Sequence, residues 1–293
     1  MARPFAIKWP NKAKVALTFT VALELYSEGE NPKPTQIAMV EGAKARGARI
    51  APNTKDYFAL DLLEYGGKRG AWRIMDIFAR AGASSTVLVS GRAAEVYPEA
   101  VSEFHRSGHE IAGHSYAQDI LEFLEWPQFA IKSEKENIQR CVSALKKVTG
   151  EPPYGWLSPG ATPSPDTFRL LAEEGFLWCS DAYDDDTPHL FENNGKRLVI
   201  IPYQSEINDY NLWLANTNSP KVYEEEFKQT LDFLRREGAD EPKLMNATVH
   251  CHMYARAYAA YAVENALKYA KRFPDVWIAT RKDIATWYLR HYG

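Results

Sequence analysis

Three of the seven histidines stand where short apolar runs give out: His114 in Gly113-His114-Ser115, and His250 and His252 on either side of Cys251. Imidazole takes and gives protons near neutrality, so a histidine at the end of a buried strand is a candidate acid or base. Glu24 ends the first apolar run, Ser158 follows Trp156-Leu157, and Asp181 and Tyr183 come just after Trp178-Cys179. In parallel α/β architectures reactive side chains lie at the carboxyl ends of strands, which is where these residues fall. A carboxylate and two imidazoles can activate a water molecule and protonate a leaving nitrogen. The competing reading of His114 is a capping or core-satisfied imidazole. His250 and His252 are read as alternating about Cys251, one facing a lumen and the other the helical layer, unless the strand bulges. His105 and His109 flank a helix end, where imidazolium is favoured. Asp184 and Asp186 read as a solvated turn, whereas Asp181 is placed to orient a histidine or an arginine.

The elements that must carry these residues are legible as an alternation. Strand-like runs lie at 14–21, 84–89, 110–112, 155–157, 176–179, 198–201, 248–250 and 276–279. Between them, apolar residues recur at helical spacing over 70–81, 98–107, 128–149, 164–174, 223–237, 258–272 and 281–292. Gly82, Gly108, Gly150 and Gly175 each follow such a stretch, as glycines ending helices do. Strand-helix alternation implies parallel strands joined by right-handed crossovers, in a barrel or an open doubly wound sheet. No GxGxxG follows the first strand and no P-loop is present, which weakens a nucleotide-binding reading. Residues 26–63 read as a loop-rich excursion, with Pro32, Pro34, Gly42, Gly47 and Pro52, from one domain spanning 1–293.

Composition excludes several partners. The net charge is −3 and no basic stripe runs along the chain, so nucleic acid is not an expected partner. No run reaches the roughly 18 apolar residues that span a bilayer, so no membrane partner is expected. The cysteines, Cys141, Cys179 and Cys251, are three in number and form no CxxC pair, which suits reduced thiols in a cytoplasmic protein. Lys8, Lys12 and Lys14 precede the apolar run, but Thr18, Thr20 and Glu24 interrupt it and no A-x-A site follows, so it does not read as a secretory signal.

Three segments resemble the polysaccharide-deacetylase-like, NodB-homology superfamily: ASSTVLVSGRAAEVYPEAVSEFHRSGHEIAGHSYAQD, GWLSPGATPSPDTFRLLAEEGFLWCSDAYDDDTPH and MNATVHCHM. EYGGKRGAWRIMDIF and LVIIPYQSEIND are most similar to the subgroup of non-classical allantoinases and cyclic imide hydrolases. The resemblance implies an α/β fold, a deformed and incompletely closed (β/α) barrel. It also implies a hydrolase acting on carbon–nitrogen bonds other than peptide bonds, cytoplasmic and homotetrameric, with a small molecule as substrate.

The family's usual metal machinery is an aspartate pair after the first strand, a His-x-x-x-His pair, an arginine and a late histidine. Here Glu24 stands alone after the first strand, His114 matches the first histidine, Gln118 replaces the second, Leu157 replaces the arginine, and His250 matches the late histidine. Zinc is held by three protein ligands plus a water, and glutamine is a poor substitute for histidine. The sequence is therefore more like the subgroup that works without a cofactor; a divalent metal such as zinc is the alternative, with His114 its candidate ligand. Glu24, His114 and His250 are the expected catalytic residues. Trp156, Ser158, Asp181, Tyr183 and His252 are the expected substrate contacts. The favoured reaction is hydrolysis of a small cyclic amide, imide or ureide. Deacetylation of a sugar or peptidoglycan fragment, and a catalytically inactive ligand-binding member of the superfamily, stay as rivals.

Overall fold

The computed structural model describes residues 7–25, 57–118, 131–214 and 219–293. Among the described residues nine strands make one sheet: β1 (Val15–Leu23), β2 (Thr86–Val89), β3 (Glu110–Gly113), β4 (Gly155–Trp156), β5 (Trp178–Cys179), β6 (His189–Asn193), β7 (Lys196–Ile200), β8 (Lys243–His250) and β9 (Val276–Ile278). Their order is β6-β7-β5-β4-β3-β2-β1-β8, with β9 beside β1, and every pair is parallel except β6–β7. The sheet curls into an incompletely closed barrel. Helices cover its outside because most of the connections between parallel strands are helical; β5 reaches β7 through β6 instead.

β1 is buried on both faces along its whole length. Val15, Leu17, Phe19, Val21 and Leu23 join the core under the helices, where Phe19 stacks on Phe227 and meets Phe78 edge-on. The alternate residues face the lumen. Its lower part is filled by Trp9, Ala16, Trp178, Val199 and Leu244, so it is a packed core and not a pore. Arg281 is fully buried there, donating to Thr20 Oγ1 at 2.6 Å, Ser180 Oγ at 2.9 Å and Asn246 Oδ1 at 3.0 Å.

Among the described residues β7 and β8 share no ladder. The segment after β7 bridges the gap instead. Gln204 accepts from Asn246 N at 2.8 Å and donates to Leu244 O at 3.1 Å, standing in for a strand's backbone. Thr248 N then donates to Ile207 O at 2.8 Å. The exposed edge of β8 is thereby satisfied.

Most predicted elements appear within a few residues of their expected bounds. Three do not. Tyr57–Tyr65 is helical and runs through a π turn, Gly66–Gly70, into the helix Ala71–Ala81, so the last part of the expected 26–63 excursion is helix. Residues 26–56 of that excursion lie outside the described residues. The β6–β7 hairpin was not anticipated, although Asn194 (φ 48°) and Gly195 (φ 73°) form the Asn-Gly turn that favours one. His109 does follow a helix end, its N–H donating to Phe104 O at 3.1 Å, but it is buried against Phe78 and Phe104 and is not held there as an imidazolium. Its Nδ1 accepts from Ser85 N at 3.1 Å, and burial drives its pKa down to about 4.

Gly155 shows how tight the lumen is: a Cβ there would lie 1.7 Å from the Trp178 ring. Gly175 has φ +84° but open space around it. Gly155→Ala should therefore lower the urea-unfolding free energy by about 3 kcal/mol through overpacking. Gly175→Ala should cost only about 1 kcal/mol of backbone strain. Equal losses for the two would contradict this account of the lumen.

Candidate active site

The strand register assembles the site. Leu23, Val89 and Gly113 share a rung across β1, β2 and β3, and Ala22 pairs with His250 across β1 and β8. The residues one step beyond, Glu24 and His114, therefore meet His250 over the mouth of the lumen. His114 Nε2 lies 2.9 Å from Glu24 Oε1, and His250 Nε2 lies 3.8 Å from the same oxygen. The structure thus brings together the three residues expected to be catalytic.

Each imidazole is pinned from behind. His114 Nδ1 is 2.5 Å from the carbonyl oxygen of Leu157, which can only accept, so Nδ1 carries the hydrogen. Where the family's arginine was expected, a main-chain carbonyl orients the histidine. His250 Nδ1 is 2.6 Å from Asp209 Oδ1. Asp209 is wholly buried and also accepts from the backbone N–H of Tyr210, His250 and Tyr254, which is how a carboxylate out of water is accommodated. Both Nε2 atoms face Glu24. The Nε2 lone pair of a neutral His114 would face the carboxylate, so the 2.9 Å contact requires a proton between the two.

The charges act on Glu24 in opposite directions. Burial works to raise its pKa, but the charge of His250 and the hydrogen bond from His114 pull it down to about 2. The carboxylate is thus an anion embedded between imidazoles, with each of these side chains at most 10% exposed. In so dry a setting the pairing is strong.

His252 does not face the helical layer. Residues two apart on a strand share a face, so opposite sides was the wrong reading of that spacing. Moreover, β8 ends at His250 and the chain turns sharply. The His252 ring lies 5.6 Å from that of His250 and adds to the positive field on Glu24. The turn is seated on the π turn: a Cβ at Gly70 would come within 1.8 Å of Cys251 O, and one at Gly66 within 3.2 Å of His252 N.

Of the other expected contacts, Trp156, Ser158 and Asp181 form one hydrogen-bonded chain, and Tyr183 stands apart. Trp156 is buried in the core, edge-on to Phe176, a Cβ at Gly113 would fall 2.6 Å from its ring, and its Nε1 donates to Ser158 Oγ at 3.1 Å. Ser158 and Asp181 hold each other: Asp181 accepts from Ser158 N and Oγ, both at 2.7 Å. Asp181 therefore braces a loop and orients neither histidine nor arginine. Tyr183, 55% exposed, lies edge-on to Tyr203 in an open cleft of about 360 Å³. Asp209 was not singled out from sequence. It lies in the LVIIPYQSEIND segment at the start of a helix, and nothing local announces its burial.

The family's metal centre can be tested on the donors present. Among the described residues no three His, Cys, Asp or Glu side chains are arranged to hold an ion. Gln118, at the second histidine's place, donates its amide to His114 O at 3.2 Å, and His114 Nε2 contacts Glu24 directly. The donors do not fit a three-ligand zinc site with His114 as its anchor.

Residues 59–177 match the family model described as polysaccharide deacetylase. A Schizosaccharomyces pombe protein provisionally named a polysaccharide deacetylase is 26% identical, over 97% of this chain and 93% of its own length. The crystal structure of a probable polysaccharide deacetylase from Pseudomonas aeruginosa PAO1 superposes with a TM-score of 0.85 at 28% identity. That of Puue allantoinase gives 0.85 at 29%. Each alignment covers 99% of this chain and 95% of the other. The incompletely closed barrel is the fold they share. Among the described residues no helix is long and apolar enough to cross a membrane.

Two measurements check the site's chemistry. Burial raises the Asp181 pKa to about 6, so the folded state holds a proton that the unfolded chain, with an ordinary value of 3.8, has released. Stability from this group falls as pH rises between those values. In urea unfolding, Asp181→Asn should gain on the wild type by about 3 kcal/mol from pH 4 to pH 7; a constant difference would rule this out. Elemental analysis after dialysis against a mild chelator should find well under one zinc per chain, and stoichiometric zinc would overturn the reading of the donor set.

Proposed function

We propose, for a chain that carries a polysaccharide deacetylase domain over residues 59–177, that it hydrolyses the C–N bond of a small cyclic amide, imide or ureide. The observation that carries this is one oxygen of Glu24 facing the Nε2 atoms of two imidazoles, one of them backed by a buried aspartate. Asp209 on one side and Glu24 on the other favour the imidazolium form of His250. The resting site thus holds a carboxylate base and an imidazolium acid side by side.

In the proposed reaction Glu24 takes a proton from water as its oxygen attacks the carbonyl carbon. His250 Nε2 then delivers its proton to the departing nitrogen. The C–N bond breaks, and the proton on Glu24 passes to His250 to restore the starting state. A carboxylate with a pKa near 2 is a weak base, but the charge on His250 is the largest single cause of that depression. As His250 gives up its proton the depression is relieved, so the two transfers assist each other. His114 holds the carboxylate in place, and His252 is positioned to donate to the developing oxyanion. The likeness to Puue allantoinase supports a ureide or imide ring as substrate.

N-deacetylation of an amino sugar is the second reading, favoured by the family model and by the names of the other relatives. It breaks the same kind of bond with the same groups. A panel of allantoin, hydantoin, succinimide, dihydrouracil and N-acetylglucosamine oligomers separates the two.

On the substrate so identified, His250→Ala should lower kcat by about two to four orders of magnitude, with KM changed much less. Glu24→Gln should do the same, and the double variant should lose little more, since the residues act as a unit. Wild-type kcat in His250→Ala would remove the histidine from the mechanism.

A further inference from the structure

We infer that Tyr203 is a positioning residue for the Asp209–His250 pair, acting through a hydrogen-bonded brace across the seam between β7 and β8. This rests on the catalytic reading of His250. Tyr203 touches neither member of the pair. Its hydroxyl lies 2.8 Å from Thr248 Oγ1 and accepts from Asn208 Nδ2 at 3.0 Å. Thr248 is two residues before His250 on the same face of β8, and Asn208 immediately precedes Asp209. One buried hydroxyl thus ties together the two stretches of backbone that deliver the imidazole and its carboxylate.

The directions of the bonds on either side of the hydroxyl pair are set by the side chains around it, starting from the floor of the lumen. Arg281 can only donate, and it donates to Thr20 Oγ1 and Asn246 Oδ1. The Thr20 hydroxyl donates to the same Asn246 Oδ1 at 2.6 Å. The Asn246 amide is therefore oriented with Nδ2 upward, donating to Thr248 Oγ1 at 3.0 Å and Gln204 O at 2.9 Å. At the other end Asn208 Oδ1 accepts from Tyr210 N at 2.9 Å, which turns Nδ2 toward Tyr203. Both amides have a single orientation, and the Tyr203–Thr248 hydroxyl pair is clamped between them. Such a network has little slack, because a flipped amide would leave buried groups unpaired.

The consequence falls on the 2.6 Å contact between Asp209 Oδ1 and His250 Nδ1. Backbone bonds to Ile207 and to Asp209 Oδ2 hold this region roughly in place. The brace fixes Asn208, and with it the angle at which the carboxylate meets the ring. Among the described residues the groups facing His250 include Asp209, Glu24, His252 and the Tyr210 ring. Substitution at Tyr203 leaves all of them present, so a change in His250 reports on placement.

Tyr203→Phe keeps the ring against Tyr183 and deletes only the hydroxyl. Histidine-selective ¹⁵N NMR of the full chain, which needs no substrate, should show the His250 titration midpoint falling by about half a unit to one unit as the stabilising carboxylate loosens. With the cognate substrate, kcat should drop about tenfold with KM nearly unchanged. The alkaline limb of the pH profile should move to lower pH, because the protonated ring is the acid. Thr248→Val removes the partner hydroxyl and should act in the same direction, and Thr248→Ser should restore the wild-type titration. If Tyr203→Phe does not fold, the two Thr248 variants decide. Wild-type titration in both Tyr203→Phe and Thr248→Val would reduce the brace to packing. Absence of turnover on the whole substrate panel would refute the functional reading while the titration still tests the brace.

Discussion

A carboxylate shut away from water is tolerated only where charge and donors compensate it. Glu24 is that carboxylate, and much of the catalytic pole exists to accommodate it. Two imidazoles face it, a third lies close by, and each of the first two is held by an acceptor behind its far nitrogen. The same arrangement that accommodates the burial sets a carboxylate and two imidazoles a few ångströms apart. Hydrophobic filling of the pole would be no less stable, but it would have nothing to exchange protons with.

The barrel's opening lets the scaffold place Asp209 where it is needed. In a fully closed barrel the neighbour of β8 would be another strand, its alternate side chains committed to the lumen or the helices. Here irregular chain runs along β8, satisfying its edge with a glutamine side chain and one backbone bond, and is free to bend a carboxylate in behind His250. The incomplete ladder and the histidine's orienting acid are one feature seen at two scales. Irregular backbone is tolerated there because polar side chains from the lumen layer below pair with it.

Strands and helices were legible in the sequence because period and glycine punctuation are local signals: the helix over 281–292 appears as expected, and Gly82 and Gly175 end their helices with positive φ. Glu24, His114 and His250 were legible because each ends an apolar run, and parallel strands gather their ends at one pole. Asp209 was not, since its burial depends on a seam between segments some forty residues apart. An indole near a strand end suits a pocket and a core equally well, so the depth at which Trp156 is buried was not legible from its place in the sequence. His252 was misplaced by a miscounted parity and by a turn that no residue type at 251 proclaims. Asn194-Gly195 was a clear hairpin signal that went unread, masked by the expectation of uninterrupted strand-helix alternation.

The π turn at Gly66–Gly70 sets the phase of the helix that precedes it. Such a turn is an α-helix holding one residue more than its turns require. At 3.6 residues per turn, one residue corresponds to a rotation of about 100°. Without it, an unbroken helix through 57–81 would turn residues 57–65 by that angle relative to 71–81. With it, a helix packed on the sheet along 71–81 offers side-chain-free backbone to the Cys251 carbonyl, and the His250–His252 turn rests on the place where the helical phase slips.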